Sequence, residues 1–241
     1  VDRVAAGCPI PELFRGFAVR AAAWMLLLLG WTCWPCAAQP VDDREKADGF
    51  VSLFNGRDLT GWKQYEGKPG GWEVVDGLLV CTGKGGGWLG TDRDYANFVV
   101  RLEYRLGPGG NSGVYLRAPE KGHISRVGME IQILDDFHPR YAKLDFYQYT
   151  GSIYHVVPPT RRASKPAGQW NTMEIRAEGR RVVVTLNGQK IVDADLDHAV
   201  KDEAVAKEHP GLMRTTGRIG LQSHSERVEF RNLRVKELKS N

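Results

Sequence analysis

An all-β fold of two packed antiparallel sheets follows from three features of this 241-residue sequence. Apolar residues alternate with period two from Phe50 onward, two-residue turn signals separate apolar runs, and helical periodicity is nearly absent. The 28 Gly, 12 Pro and 10% aromatic residues suit short strands joined by tight turns, and one β domain readily fills this length. No repeat of solenoid or propeller length recurs.

The elements follow in order. "WEVVDGLLVCT" (Trp72–Thr82) sets Asp76-Gly77 between two apolar runs, a hairpin signal. "NFVVRLEYRL" (Asn97–Leu106) places Phe98, Val100, Leu102, Tyr104 and Leu106 on one face and Arg101, Glu103 and Arg105 on the other. "WNTMEIRAEGRRVVVTL" turns near Glu178-Gly179, "VVVTLNGQKIVDA" turns at Asn187-Gly188, and "RIGLQSH" and "RVEFRNLRVKEL" supply the closing strands. The total is about ten to twelve strands. Asp193–Gly211, rich in Ala, Lys and Glu and halted by Pro210, reads as a solvated connection or a short helix.

The N-terminal region has a different character. Val19–Pro40 carries one basic residue, an apolar run from Ala21 to about Trp31, and small residues ending Cys36-Ala37-Ala38. That is the layout of a cleaved secretory signal, too short in its apolar core for an ordinary membrane span, with a short N-terminal anchor or a lipid anchor on Cys33 or Cys36 as the alternatives. The expected division is residues 1–38 as extension and signal, 39–48 as linker, and 49–238 as the β domain. The protein is expected to be exported, to the periplasm, the cell surface or the medium. Three basic and two acidic residues fall in 1–38, so the net charge of +4 becomes +3, with no charged block that would favour nucleic acid. Cleavage also removes Cys8, Cys33 and Cys36, leaving Cys81 in "LLVCT" as a core residue and no internal disulfide.

The outward faces of several strands are unusual. In "GMEIQILDD" (Gly128–Asp136), Met129, Ile131 and Ile133 share one face, and Glu130 and Gln132 the other with Leu134. "NSGVYLRA" (Asn111–Ala118) leaves Tyr115 and Arg117 opposite Val114 and Leu116. "GSIYHVV" reads as a strand alternating Ser152, Tyr154 and Val156 with Ile153, His155 and Val157, and "IGLQSH" sets Gln222 and His224 opposite Ile219 and Leu221. Singly, these residues suit a cross-strand Glu130–Arg117 ion pair, half-buried tyrosines and solvated amides. Their recurrence, mixing aromatics that fit sugar faces with planar groups that fit hydroxyls, points to a carbohydrate surface.

Together the motifs resemble a known family. "SLFNGRDLTGW" (Ser52–Trp62) is followed by "GNSGVYLR", "GMEIQILDD", "TGSIY", "WNTMEI", "LNGQKIVD" and "GRIGLQSHSERVEFRNLRVKEL". From about Gly49 to Leu238 this order is similar to the 3-keto-disaccharide hydrolase domain family. The resemblance implies a concanavalin A-like jelly-roll sandwich whose concave sheet takes a sugar, and hydrolysis of glycosides oxidised at C3 of the glucosyl unit. A C3 ketone acidifies the C2 hydrogen, so a base removes it, the group at C1 leaves, and water adds to the enone. The reaction needs a base, an acid and donors to the C3 oxygen.

On the matching positions, Glu130 is expected as base, or as a metal or hydroxyl ligand. His224 is expected as its acid–base partner, and Asp135 as a substrate ligand or orienting group. Asn111 or Arg117 would polarise the keto oxygen, while Gln132, Tyr154 and Gln222 would hold hydroxyls. No cofactor is implied; Glu130, Gln132 and His224 suit a divalent ion chemically, but their spacing sets no metal geometry. The expected partners are a carbohydrate substrate and a sugar 3-dehydrogenase that oxidises it, with no nucleic acid and no membrane span after signal removal. Arg140–Arg162 reads as a variable rim facing the aglycone. The competing classes are a non-catalytic carbohydrate-binding module, a cell-surface adhesion domain and an endo-glucanase-like hydrolase. The last typically needs two acids at alternate positions of one strand, where this chain has Glu130 and then Gln132.

Overall fold

The computed structural model describes residues 41–239. The signal-like segment and the cysteines at 8, 33 and 36 lie outside the described residues. Among the described residues there are thirteen strands: β1 (Val51–Ser52), β2 (Trp62–Tyr65), β3 (Trp72–Val75), β4 (Leu78–Cys81), β5 (Trp88–Thr91), β6 (Phe98–Leu106), β7 (Asn111–Ala118), β8 (Met129–Leu134), β9 (Asn171–Glu178), β10 (Arg181–Leu186), β11 (Gln189–Asp195), β12 (Arg218–Gln222) and β13 (Val228–Glu237). They form an antiparallel eight-stranded sheet, β11-β10-β9-β6-β13-β4-β3 with β1 also on β13, and a five-stranded sheet, β2-β5-β12-β7-β8. The chain crosses between sheets after β1, β2, β4, β5, β6, β8, β11 and β12, the jelly-roll pattern of a two-sheet sandwich.

The alternation in the sequence decides which faces meet. Val100, Leu102 and Tyr104 of β6, Met173 and Ile175 of β9, and Phe230 of β13 belong to one apolar cluster with Val114 and Leu116 of β7, Ile131 and Ile133 of β8, and Leu221 of β12. Each such side chain contributes roughly 1.5–3 kcal/mol by leaving water. Both hairpin turns form as read: Asp76-Gly77 and Asn187-Gly188 hold φ of 51° and 77°, and 50° and 78°. Cys81 is buried, with Sγ 3.3 Å from Ser223 Oγ.

Two segments depart from expectation, and a third, Asp193–Gly211, takes the helical form its composition allowed. Residues 41–48 are built onto the domain: α1 (Asp43–Ala47) is capped by Asp42, Glu45 pairs with Arg101 and Arg234, and Val41 packs with Phe50 and Val99. The Asp193–Gly211 stretch carries two short helices, α3 (Leu196–Ala199) and α4 (Glu203–Glu208), because Asp195 and Asp202 cap their first turns. Residues 151–157 are not a strand. Gly151 and His155 take φ of 89° and 58°, which break the pleat, and only isolated bridges at Ile153 remain. This irregular strap instead covers the free edge of β8. Among the described residues no helix is long and apolar enough to cross a membrane.

Candidate functional site

The outer face of the five-stranded sheet is where β7, β8, β12, β5 and β2 bring their non-core residues together. Across β7 and β8, Tyr115 lies opposite Glu130, Gly113 opposite Gln132, and Asn111 opposite Leu134. Across β12, Gly220 lies opposite both Tyr115 and Gly90, and Gln222 opposite Trp88. Trp88 in turn opposes Tyr65 on β2. Opposed residues share a face, so Glu130, Gln132, Tyr115, Gln222, Trp88 and Tyr65 form one surface.

Three glycines let large groups lie flat on it. A Cβ on Gly90 or Gly220 would come within 2.3 and 2.6 Å of the Trp88 ring, so the indole lies across both. Tyr65 stacks on that indole at 4.4 Å and 17°, and Tyr115 meets it edge-on at 5.8 Å and 79°. Ile124 of α2 (Ile124–Val127) packs on the same aromatic group. A Cβ on Gly113 would fall 2.3 Å from Glu130 Oε1, so the carboxyl of Glu130 lies over that glycine.

Glu130 is 3% exposed. Burial pushes its pKa up to about 8, and no hydrogen bond or cation acts against it. The phenol of Tyr115 is pushed well above its ordinary value, by burial first and then by the Glu130 charge, with a side-chain hydrogen bond to Gln222 acting the other way. Buried polar atoms on and beside this face also lack partners among the described residues: Asn111 Oδ1, Ser152 Oγ, Gln222 Oε1 and Trp88 Nε1. Such atoms are ordinarily satisfied in native proteins, each orphan costing about 1–3 kcal/mol. The arrangement is a hydrogen-bonding surface beside an aromatic floor, with a high-pKa carboxyl on its edge strand β8.

Of the residues expected from sequence, Glu130, Gln132, Asn111 and Gln222 meet on this face. Tyr154 borders it: its N–H donates to Glu130 O at 2.9 Å, and its hydroxyl accepts from Gln148 Nε2 at 3.3 Å. Gln132 Oε1 accepts from the Ile133 amide at 3.1 Å. Arg117 does not reach the site. A register shift between β7 and β12 and a φ of 49° take it out of the alternation. Its buried guanidinium donates to the carbonyls of Ala96 (3.0 Å), Gly179 (2.9 Å) and Arg214 (3.2 Å). Asp135 is also turned to the backbone, Oδ2 accepting from Gly109 N–H at 2.8 Å. His224 lies past the end of β12, exposed, with Nδ1 3.1 Å from Ser225 Oγ and 3.3 Å from Glu226 Oε2. No ion pair or hydrogen bond joins it to Glu130.

Sequence reasoning missed Trp88, Tyr65 and Ser152, and gave Tyr115 no role. The signal was present in "WLGT" and "RIGLQ", where a strand glycine marks the close approach of another group. Among the described residues, no three His, Cys, Asp or Glu side chains gather as metal ligands.

Comparison with known proteins places this architecture. A candidate glycosyl hydrolase of Parabacteroides distasonis superposes with a TM-score of 0.76 at 29% identity, over 84% of this chain and 100% of that one. A carbohydrate-binding module of Bacillus subtilis shares the fold at a TM-score of 0.50 and 14% identity, over 76% of this chain and 99% of that one. The protein is thus a β-sandwich of the glycoside hydrolase-like class. A 3-keto-disaccharide hydrolase of Bacteroides thetaiotaomicron is 32% identical over 245 residues, covering 83% of this chain and 80% of the relative. The model of the 3-keto-alpha-glucoside-1,2-lyase-like domain matches residues 49–236, and the chain belongs to that family. It is a hydrolase by this kinship.

Proposed function

We propose that this protein cleaves glycosides whose glucosyl unit bears a ketone at C3, by elimination followed by hydration. The observation that carries this reading is Glu130: a buried carboxyl whose pKa burial raises to about 8, on a strand whose β7 partners include no carboxylate. An ordinary retaining or inverting mechanism uses two carboxyl groups flanking the glycosidic bond. A keto sugar needs one base at C2, and a carboxylate raised by burial is a stronger base once ionised.

Glu130 takes the C2 proton, and the C–H pair moves toward C3 and onto its oxygen as an enolate. As the C3 carbonyl re-forms, C1=C2 forms and the C1–O bond breaks. The departing oxygen takes its proton from the newly protonated Glu130, since His224 is engaged with Glu226 and Ser225. Water then adds its hydroxyl to C1 and its proton to C2, giving the 3-keto hexose. Asn111, Ser152 and Gln222 supply acceptors for sugar hydroxyls, and the Trp88 floor keeps the face rigid. On this reading an oxidoreductase acting at C3 supplies the substrate, and the signal-like N terminus sends the enzyme out of the cytoplasm.

The test is product formation from a 3-keto-glucoside and its unoxidised parent, side by side. Cleavage of the keto sugar alone is expected, with kcat/KM rising toward pH 8 as Glu130 ionises. Glu130→Gln should lower turnover at least about a hundredfold. Equal cleavage of both sugars, or binding without product, overturns the proposal.

A further inference from the structure

We infer that Tyr115 is a catalytic residue, donating its phenolic O–H to the C3 oxygen as that oxygen gains charge; this rests on the keto-glycoside reading above. The warrant is placement. Tyr115 and Glu130 are direct partners across β7 and β8. Directly opposed Cβ atoms lie about 4.5–5.5 Å apart, so the two side chains rise from neighbouring points of one face, close enough for the Glu130 charge to act on the Tyr115 phenol. On its other side Tyr115 opposes Gly220, over which the Trp88 indole lies. The ring's edge contact with Trp88 fixes its direction, and the indole is itself held over Gly90 and Gly220.

The other side-chain donors that β7 and β8 place on this face are the neutral amides of Asn111 and Gln132, and Gln222 on β12 adds a third. Arg117, the cation on β7, spends its guanidinium on three backbone carbonyls. Burial keeps the Tyr115 phenol protonated over the range in which Glu130 ionises, so the two groups titrate apart: one ready to accept a proton, the other ready to donate a hydrogen bond. In the step itself the C2 proton goes to Glu130 and the electron pair ends on O3. There it accepts the Tyr115 O–H hydrogen bond, which shortens as charge builds and relaxes when the C1–O bond breaks. The phenol keeps its proton throughout, and no other reactant is needed.

Tyr115→Phe removes only the hydroxyl and keeps the ring contact with Trp88. With 4-nitrophenyl 3-keto-glucoside, kcat should fall about 10²–10³-fold, the loss typical of removing one oxyanion donor, with KM changed less than about threefold. Exchange of the C2 hydrogen with deuterium oxide, followed by NMR on a 3-keto-1-deoxy analogue that has no leaving group, should fall by a similar factor. A more acidic fluorotyrosine at position 115 should keep the rate and move the alkaline limb of the pH profile to lower pH. Cleavage by the unsubstituted protein with unimpaired Tyr115→Phe overturns the role and leaves the keto-glycoside reading standing. No cleavage by the unsubstituted protein overturns both. If Tyr115→Phe fails to fold, the fluorotyrosine variant decides, and an unmoved alkaline limb overturns the role.

Discussion

The outer faces of the two sheets begin from the same alternation and end differently. On the eight-stranded sheet the outward residues are charges with partners: Arg101 bridges Glu45 at 2.9 Å and Glu174 at 2.6 Å, Arg231 meets Glu103 at 2.8 Å, and Arg181 meets Asp193 at 2.7 Å. On the five-stranded sheet the outward groups are a carboxyl, amides, a hydroxyl and aromatic rings, and several of their buried polar atoms have no partner among the described residues. Partnered charges at a wet surface cost little and contribute little. Unpaired buried polar atoms cost real stability, so a fold retains them where a ligand will complete them. The contrast, more than any single residue, locates the site.

That contrast can be broken or sharpened by measurement. The largest stability effect is expected at Arg117, which the structure moves from the site to the frame. Arg117→Met would strand three backbone carbonyls and should cost about 3–5 kcal/mol in urea unfolding, with KM for the keto sugar little changed in the protein that remains folded. Unchanged stability with a raised KM would return Arg117 to the substrate.

Next is the linkage at Glu130. Its carboxyl holds a proton in the folded state up to about pH 8, whereas the unfolded chain releases it near 4.5. Between those values the folded state binds more protons, so stability is fully present below the lower value and declines as pH rises through the upper one. At about 1.4 kcal/mol per pH unit for one proton, the decline between about pH 6 and pH 8 is roughly 2–3 kcal/mol. Glu130→Gln should remove that difference from paired unfolding curves; parallel curves would mean that the carboxyl is already ionised.

The smallest effect belongs to the charged sheet. Glu174→Gln should change stability by no more than about 0.5 kcal/mol and leave turnover unaltered. A tenfold loss of turnover would show that the two faces are not independent.

Much of this molecule is a local matter. Period two in "NFVVRLEYRL" and "GMEIQILDD" sorted core from outside residue by residue, and Asp76-Gly77 and Asn187-Gly188 set their hairpins, because strand alternation and positive φ depend only on neighbouring residues. Those short-range rules also put Glu130 and Gln132 opposite the core. What tertiary structure decided is where alternation stops. The bulge that turns Arg117 inward arises from pairing with β12, about a hundred residues away in sequence. The strap over the β8 edge exists because that strand had open N–H and C=O groups to satisfy. The aromatic floor needed Gly90 and Gly220 from different strands to come side by side beneath Trp88. Sequence by itself therefore determined the sheets, their turns and the candidate base, because those follow from backbone geometry over a few residues. Only the folded chain determined which polar groups reach that base and which are consumed holding the sandwich together, because that depends on strand order and register.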